Sequence, residues 1–171
     1  VVIESSHRQV TTLFRRAKSD LQMLTTYTQQ GPYPCAGTPW FSTPFGRDGL
    51  ITALHTLWAS PVFAKGVLKF LAAEQATKDD PSVDAQPGKI LHEIRFSEMA
   101  TLGEVPFGKY YGSVDSTPLF VLLAAYYFQR TGDLDTMRAL WPNIDAALEW
   151  IDKYGDRDGD GFQEYETRSK A

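Results

Sequence analysis

The sequence predicts an all-α fold, and more narrowly a partial (α/α)6 toroid of alternating inner and outer antiparallel helices, with residues 1–171 forming a single segment of that incomplete barrel domain. Three observations carry this prediction. Apolar residues recur at three- and four-residue steps through five segments, the signature of helices. The five alternate in character: one wet face, apolar nearly all round, wet, apolar, wet. No pair of alternating runs is joined by a hairpin turn signal, so no β-hairpin is expected. Inner helices of two concentric layers see protein on every side, and outer helices see solvent on one. Five helices leave such a ring open.

The first helix is predicted over about residues 4–27, where Val10, Leu13, Phe14, Ala17, Leu21 and Leu24 form a stripe opposite Arg15, Arg16, Lys18 and Asp20. The second, about residues 48–59, carries Leu50, Ile51, Ala53, Leu54, Leu57 and Trp58 and reads as buried. The third opens at Pro61, a good first-turn residue, and runs to about residue 75, with Lys65, Lys69 and Glu74 on a wet side. A long loop over about residues 76–115 follows, and loops of that length in compact domains are usually functional. The fourth helix, about residues 116–131, is again apolar all round. The fifth, about residues 134–153, is amphipathic, and Pro142 predicts a kink or a restart within it.

A length of 171 residues is about one domain's worth, and 43% hydrophobic residues suffice for a core. A net charge of -4, with charges scattered, argues against a nucleic-acid partner, which needs a basic face. The single cysteine, Cys35, allows no internal disulfide and fits a reducing compartment, so a cytoplasmic location is expected. No apolar run approaches the roughly 18 residues of a membrane span, so no membrane partner is expected. The chain opens at Val1 without a signal-like stretch and reads as a piece of something longer.

Four stretches carry candidate chemistry. In "TPWFSTPFGRDGL", Trp40, Phe41, Arg47 and Asp48 stand together at the mouth of a helix. Asp48 can be a simple N-cap and the aromatics core. The same set also suits a sugar: adjacent donor and acceptor for vicinal hydroxyls, and a flat ring for the C–H face. "HEIR" offers Glu93 and Arg95, either as an internal ion pair or as hydroxyl contacts; His92 reads as a loop residue. "YYGSVDSTPLF" places Tyr111 and Asp115 before another helix, where Asp115 also reads as a cap. "DRDGDGFQEYET" sets Asp156, Asp158 and Asp160 at alternate positions before Gly161, copying the first half of a calcium loop. Glu164 fits the ninth position, but Thr167 stands where a bidentate glutamate belongs, so an acidic turn is the other reading. The histidines His7, His55 and His92 have no metal spacing, so zinc is not expected.

Taken in order and at their spacing, "PWFSTPFGRDGLITALHTLWASP", "PGKILHEIRFSEM", "YYGSVDSTPLFVLLAAYYFQRTGD" and "GDRDGDGFQEYE" resemble the bacterial amylo-α-1,6-glucosidase and glycogen-debranching group of six-hairpin glycosidases. The resemblance spans about residues 35–168. It implies a glycoside hydrolase that cleaves terminal α-glucosidic bonds, α-1,6 branch points of glycogen or maltodextrin among them, by inversion. An α-glucan or oligosaccharide is then the partner. The substrate-binding residues it implies are Arg47 and Asp48 with Trp40 and Phe41 as walls, Glu93 and Arg95 from a loop over the barrel mouth, Tyr111 as a stacking wall, and Asp115 as a hydroxyl acceptor. No organic cofactor is expected, and a structural calcium at Asp156, Asp158, Asp160 and Glu164 has parallels in some relatives of the barrel. The relatives' general acid follows the last stretch and the base lies far downstream. Both catalytic groups are therefore expected beyond Ala171, with Glu164 and Glu166 the nearest carboxylates before it. Two alternatives are a helical-repeat interaction module, against which the lack of a fixed period argues, and a catalytically inactive carbohydrate-binding relative.

Overall fold

The computed structural model describes residues 2–105 and 108–169. Ala171, beyond which the acid and base are expected, lies outside the described residues. The chain is mostly helical, with one small two-stranded sheet. In order come α1 (Arg8–Leu24), β1 (Thr25–Thr28), β2 (Gly31–Pro34), α2 (Gly46–Thr56), α3 (Val62–Ala73), a 3-10 turn (Pro81–Val83), the short α4 (Glu98–Thr101), α5 (Ser116–Thr131), α6 (Leu134–Trp150) and a π-helical turn (Ile151–Gly155).

The hairpin corrects the sequence reading. The first helix stops at Leu24 because Thr25, Thr26, Tyr27 and Thr28 are β-branched or aromatic and pair with β2 in antiparallel register, Thr25 opposite Pro34 and Thr28 opposite Gly31. Gly31 sits at φ 128°, open only to glycine, and this lets a two-residue turn close the pair. The strand was hidden in the sequence because its residues are polar on both faces. Its consequence is deep: Tyr33 of β2 is fully buried, and its hydroxyl donates to Phe45 O at 2.7 Å, just ahead of α2.

The wet-and-buried alternation is also corrected. α3 keeps the expected wet side, with Lys69 exposed, but is also the central helix, with Ala64, Val67, Leu68, Phe70 and Leu71 buried against α2, α5, α6 and β2. α2 and α5, expected to be buried all round, bury one side each and leave Ile51, Leu122 and Tyr126 exposed, with Trp58 exposed just after α2. α1 has no buried residue; Leu13 and Met23 stay exposed, and of its stripe Leu21 and Leu24, at its C-terminal end, are half-buried. The physical reason is common to all three: an apolar face is buried only where a neighbour lies opposite it.

α6 runs unbroken through Pro142, with no restart. Next to the proline, Asn143 stitches the helix sideways: its Nδ2 donates to Ala72 O at 3.0 Å and to Gln75 Oε1 at 2.7 Å. Asp133 caps α6 by accepting from Thr136 N at 3.0 Å, and also receives Lys65 Nζ at 2.9 Å and the Tyr127 hydroxyl at 2.7 Å. The long loop is no slack connection. Ile90, Leu91 and Ile94 enter the core, and Glu93 pairs by backbone with Phe45 on one side and Tyr110 on the other. This brings the start of α2, the HEIR segment and the approach to α5 together.

Candidate functional site

The start of α2 is set by close packing. A Cβ on Gly46 would lie 2.0 Å from Leu91 O and 2.8 Å from Ser116 Oγ, so glycine is the residue that lets α2, the loop and α5 meet. Gly46 N donates to His92 O at 2.7 Å, which pins the loop to the helix N-terminus. Phe45, extended at φ -112° and ψ 139°, precedes the helix. Asp48 is therefore a first-turn residue and not the N-cap. A carboxylate there still favours the helix through the dipole.

Arg47 and Asp115 come together. Arg47 Nη1 lies 3.2 Å from Asp115 Oδ2, across a sequence separation of 68. Asp115 precedes α5 but its side chain makes no capping bond; Ser113 Oγ accepts from Ser116 N at 3.2 Å in its place. Ser113 also donates to Asp115 Oδ1. Burial pushes the Asp115 carboxyl up, but the bonds from Ser113 and Arg47 and the Arg47 charge outweigh it and hold it below its ordinary value. It is an anion with a fixed orientation. Asp48 lines a cavity of about 200 Å³ with Arg47, Cys35 and Thr52, roofed by Leu21 and Leu24 of α1.

The aromatics divide. Trp40 is 79% exposed and Phe41 51%, and Phe41 stands edge-on to Phe45 at 5.9 Å. Both have a face to offer a ligand. Tyr111 does not: it is in the core, its hydroxyl donates to Glu74 O at 2.7 Å, and burial beside Glu74 pushes it up to about 12. Its expected role as a stacking wall is corrected to a core role, because its ring has no open face. Glu93 is buried too, and Arg95 Nε donates to its Oε2 at 2.7 Å. The internal ion pair is thus the geometry of HEIR in this structure.

Ser113 and Asp84, which sequence reasoning did not single out, and His92, read there as a loop residue, hold this region. Ser113 orients Asp115, and an S-x-D spacing before the helix was its only signal. His92 lies edge-on between Phe45 at 5.7 Å and Tyr110 at 5.9 Å. Asp84, 1% exposed at a left-handed φ of 54°, has no sequence signal at all. It accepts from Tyr110 Oη at 2.9 Å, Thr167 Oγ1 at 2.9 Å, Arg168 N at 2.6 Å and Ser169 N at 2.9 Å. Lys89, also buried, donates to Asp84 O at 3.1 Å and lies over the Trp150 ring; burial lowers it to about 8.

The acidic loop brings its four residues together. One oxygen from each of Asp156, Asp158, Asp160 and Glu164 lies within 4.8 Å of the others. Backbone N–H groups orient them: Gly159 and Gly161 donate to Asp156 at 2.8 and 3.0 Å, Asp160 to Asp158 at 3.1 Å, and Arg157 to Glu164 at 2.6 Å. Gly159 and Gly161 adopt positive φ, which permits the tight curl. Thr167, at the twelfth position, turns away to Asp84, so completion of a calcium shell falls to other oxygens.

Compared with protein-family models and with curated proteins, the sequence matches none. No helix among the described residues is long and apolar enough to cross a membrane.

Proposed function

We propose that this chain is the glucose-binding part of a glycoside hydrolase acting on terminal α-glucosidic bonds, α-1,6 branch points of an α-glucan in particular. The observation that carries the reading is the Arg47–Asp115 pair at the meeting of the α2 and α5 N-termini, with Asp48 one residue on. A guanidinium and two carboxylates on short, fixed backbones offer charge-assisted bonds to vicinal hydroxyls. Trp40 and Phe41 supply exposed flat faces for the sugar's C–H surface.

Inversion needs an acid and a base roughly 6.5–9.5 Å apart, flanking the anomeric carbon. Asp115 is held ionised, so it suits binding a hydroxyl and not donating a proton. The acid and base therefore belong to other residues than this binding pair, and this reading puts them beyond Ala171. The exposed apolar sides of α2 and α5 fit the inner wall of an incomplete (α/α)6 toroid that further helices would close. In the same reading Asp156, Asp158, Asp160 and Glu164 hold a calcium ion that stiffens the turn after α6, and the compartment is the cytoplasm.

Calorimetric titration with isomaltose tests the reading. Saturable binding by the purified protein, abolished in Arg47→Gln, is the expected result. Binding indifferent to Arg47 would overturn it.

A further inference from the structure

His92 is the residue at this junction whose chemistry remains unassigned. Its backbone is held on both sides: N donates to Tyr110 O at 2.8 Å, and O accepts from Gly46 N at 2.7 Å. Its ring is held by edge contacts with Phe45 and Tyr110. The imidazole therefore has little freedom to turn. Its Nδ1 is buried and hydrogen-bonds no described residue. The residue as a whole is only half-buried, and Nε2, unlike Nδ1, is not among the buried side-chain atoms left without a partner.

Buried polar atoms without partners are uncommon, and one at a candidate site asks for a chemical reason. A bare Nδ1 leaves a buried lone pair unmet; a protonated Nδ1 leaves a buried N–H unmet, the rarer and costlier case. The single ring proton of neutral imidazole therefore belongs on Nε2, where it can be used. A second proton would go onto the enclosed Nδ1. Burial accordingly pushes His92 below its ordinary value. The charged groups within electrostatic reach come from each packed element: Glu93 from its own segment, Arg47 and Asp48 from α2, and Asp115 from the start of α5. The acids favour the imidazolium and Arg47 opposes it, but desolvation dominates.

We propose that His92 carries its proton on Nε2 and donates it to a hydroxyl oxygen of the sugar held by Arg47, Asp48 and Asp115. This rests on the sugar-site reading and extends it. Arg47 donates and the aspartates accept, and His92 adds a neutral donor of fixed direction. A donor held in a fixed direction forms this bond only with a sugar that presents the matching hydroxyl, so His92 would discriminate a glucose unit from an analogue lacking that hydroxyl.

Nitrogen NMR on the unmodified protein reads the tautomer directly. The expected result is an Nε2–H tautomer at pH 7, with Nε2 shifted on adding isomaltose. An Nδ1–H tautomer, or an imidazolium at pH 7, would overturn the proposal. Binding by variants separates it from the wider reading. His92→Phe should weaken isomaltose binding about fivefold to tenfold, and His92→Gln, which keeps a donor, by less. If Arg47→Gln abolishes binding while His92→Phe binds like wild type, His92 is not a sugar contact and the sugar site stands. If wild type does not bind isomaltose at all, both readings fall. Should His92→Phe fail to fold, the tautomer and the His92→Gln affinity still decide.

Discussion

Arg47 Nη1 stands 3.2 Å from Asp115 Oδ2, and this one contact ties together two helix starts that lie 68 residues apart in the chain. Both side chains are partly exposed, so the pair contributes only about 0–1 kcal/mol to stability. Its weight falls on function. Arg47→Gln and Asp48→Asn should each leave the unfolding free energy within about 1 kcal/mol of wild type while lowering sugar binding strongly. Denaturant unfolding beside calorimetry checks this, and a variant with wild-type affinity removes the sugar-site reading.

Trp40 gives a second, independent probe of the same site. It is 79% exposed, so Trp40→Ala should leave thermal stability nearly unchanged. Loss of its face should weaken isomaltose binding by about 1 kcal/mol. Quenching of tryptophan fluorescence by ligand in wild type, absent in the variant, is the expected signature; equal quenching in both places the sugar elsewhere.

Calcium should raise the melting temperature if the acidic loop binds it. The four oxygens already lie within 4.8 Å of one another, and Ca²⁺ ligands sit at about 2.3–2.6 Å from the ion. Asp158→Asn removes one carboxylate charge and should reduce the shift. Superimposable melting curves with calcium and with chelator sink the site.

Asp84 is expected to be the most sensitive single polar position in the fold. Asp84→Ala removes an acceptor for four described donors and puts a Cβ-bearing residue without a helpful side chain at φ 54°. The expected loss is roughly 3 kcal/mol. Asp84→Asn, which tolerates the left-handed region and keeps one acceptor, should cost less. Equal unfolding midpoints for wild type and Asp84→Ala contradict the geometry.

Lys89 predicts a pH dependence with a definite sign. Burial lowers it to about 8, below its ordinary 10.5, so the unfolded chain binds the proton more tightly than the folded one. Stability must then rise with pH between about 8 and 10, by at most about 1.4 kcal/mol per pH unit. Lys89→Met should flatten that rise. Parallel profiles for the two proteins show that Lys89 is not responsible.

The helices were legible from the sequence because apolar residues at helical spacing are a local signal. The predicted segment 116–131 matches α5 (Ser116–Thr131), and the other main helices match to within a few residues at most of their ends. Arg47, Asp48 and Asp115 were legible as candidates because their types and their place at helix starts are also local facts. The hairpin at β1 and β2 was not, since a polar strand has no apolar alternation and is defined only by its partner. Nor was the burial of Tyr111 and Glu93, because whether a ring or a carboxylate faces solvent depends on what packs over it. Asp84 and His92 became meaningful only with the chain folded: the donors to Asp84 come from residues 110 and 167–169, and the His92 ring is held by Phe45 and Tyr110. Periodicity and side-chain chemistry are written residue by residue, so the sequence alone determined the helices and the set of candidate groups. Long-range packing decided which of those groups meet, and which are sealed in the core, because contacts between distant segments depend on the whole fold at once.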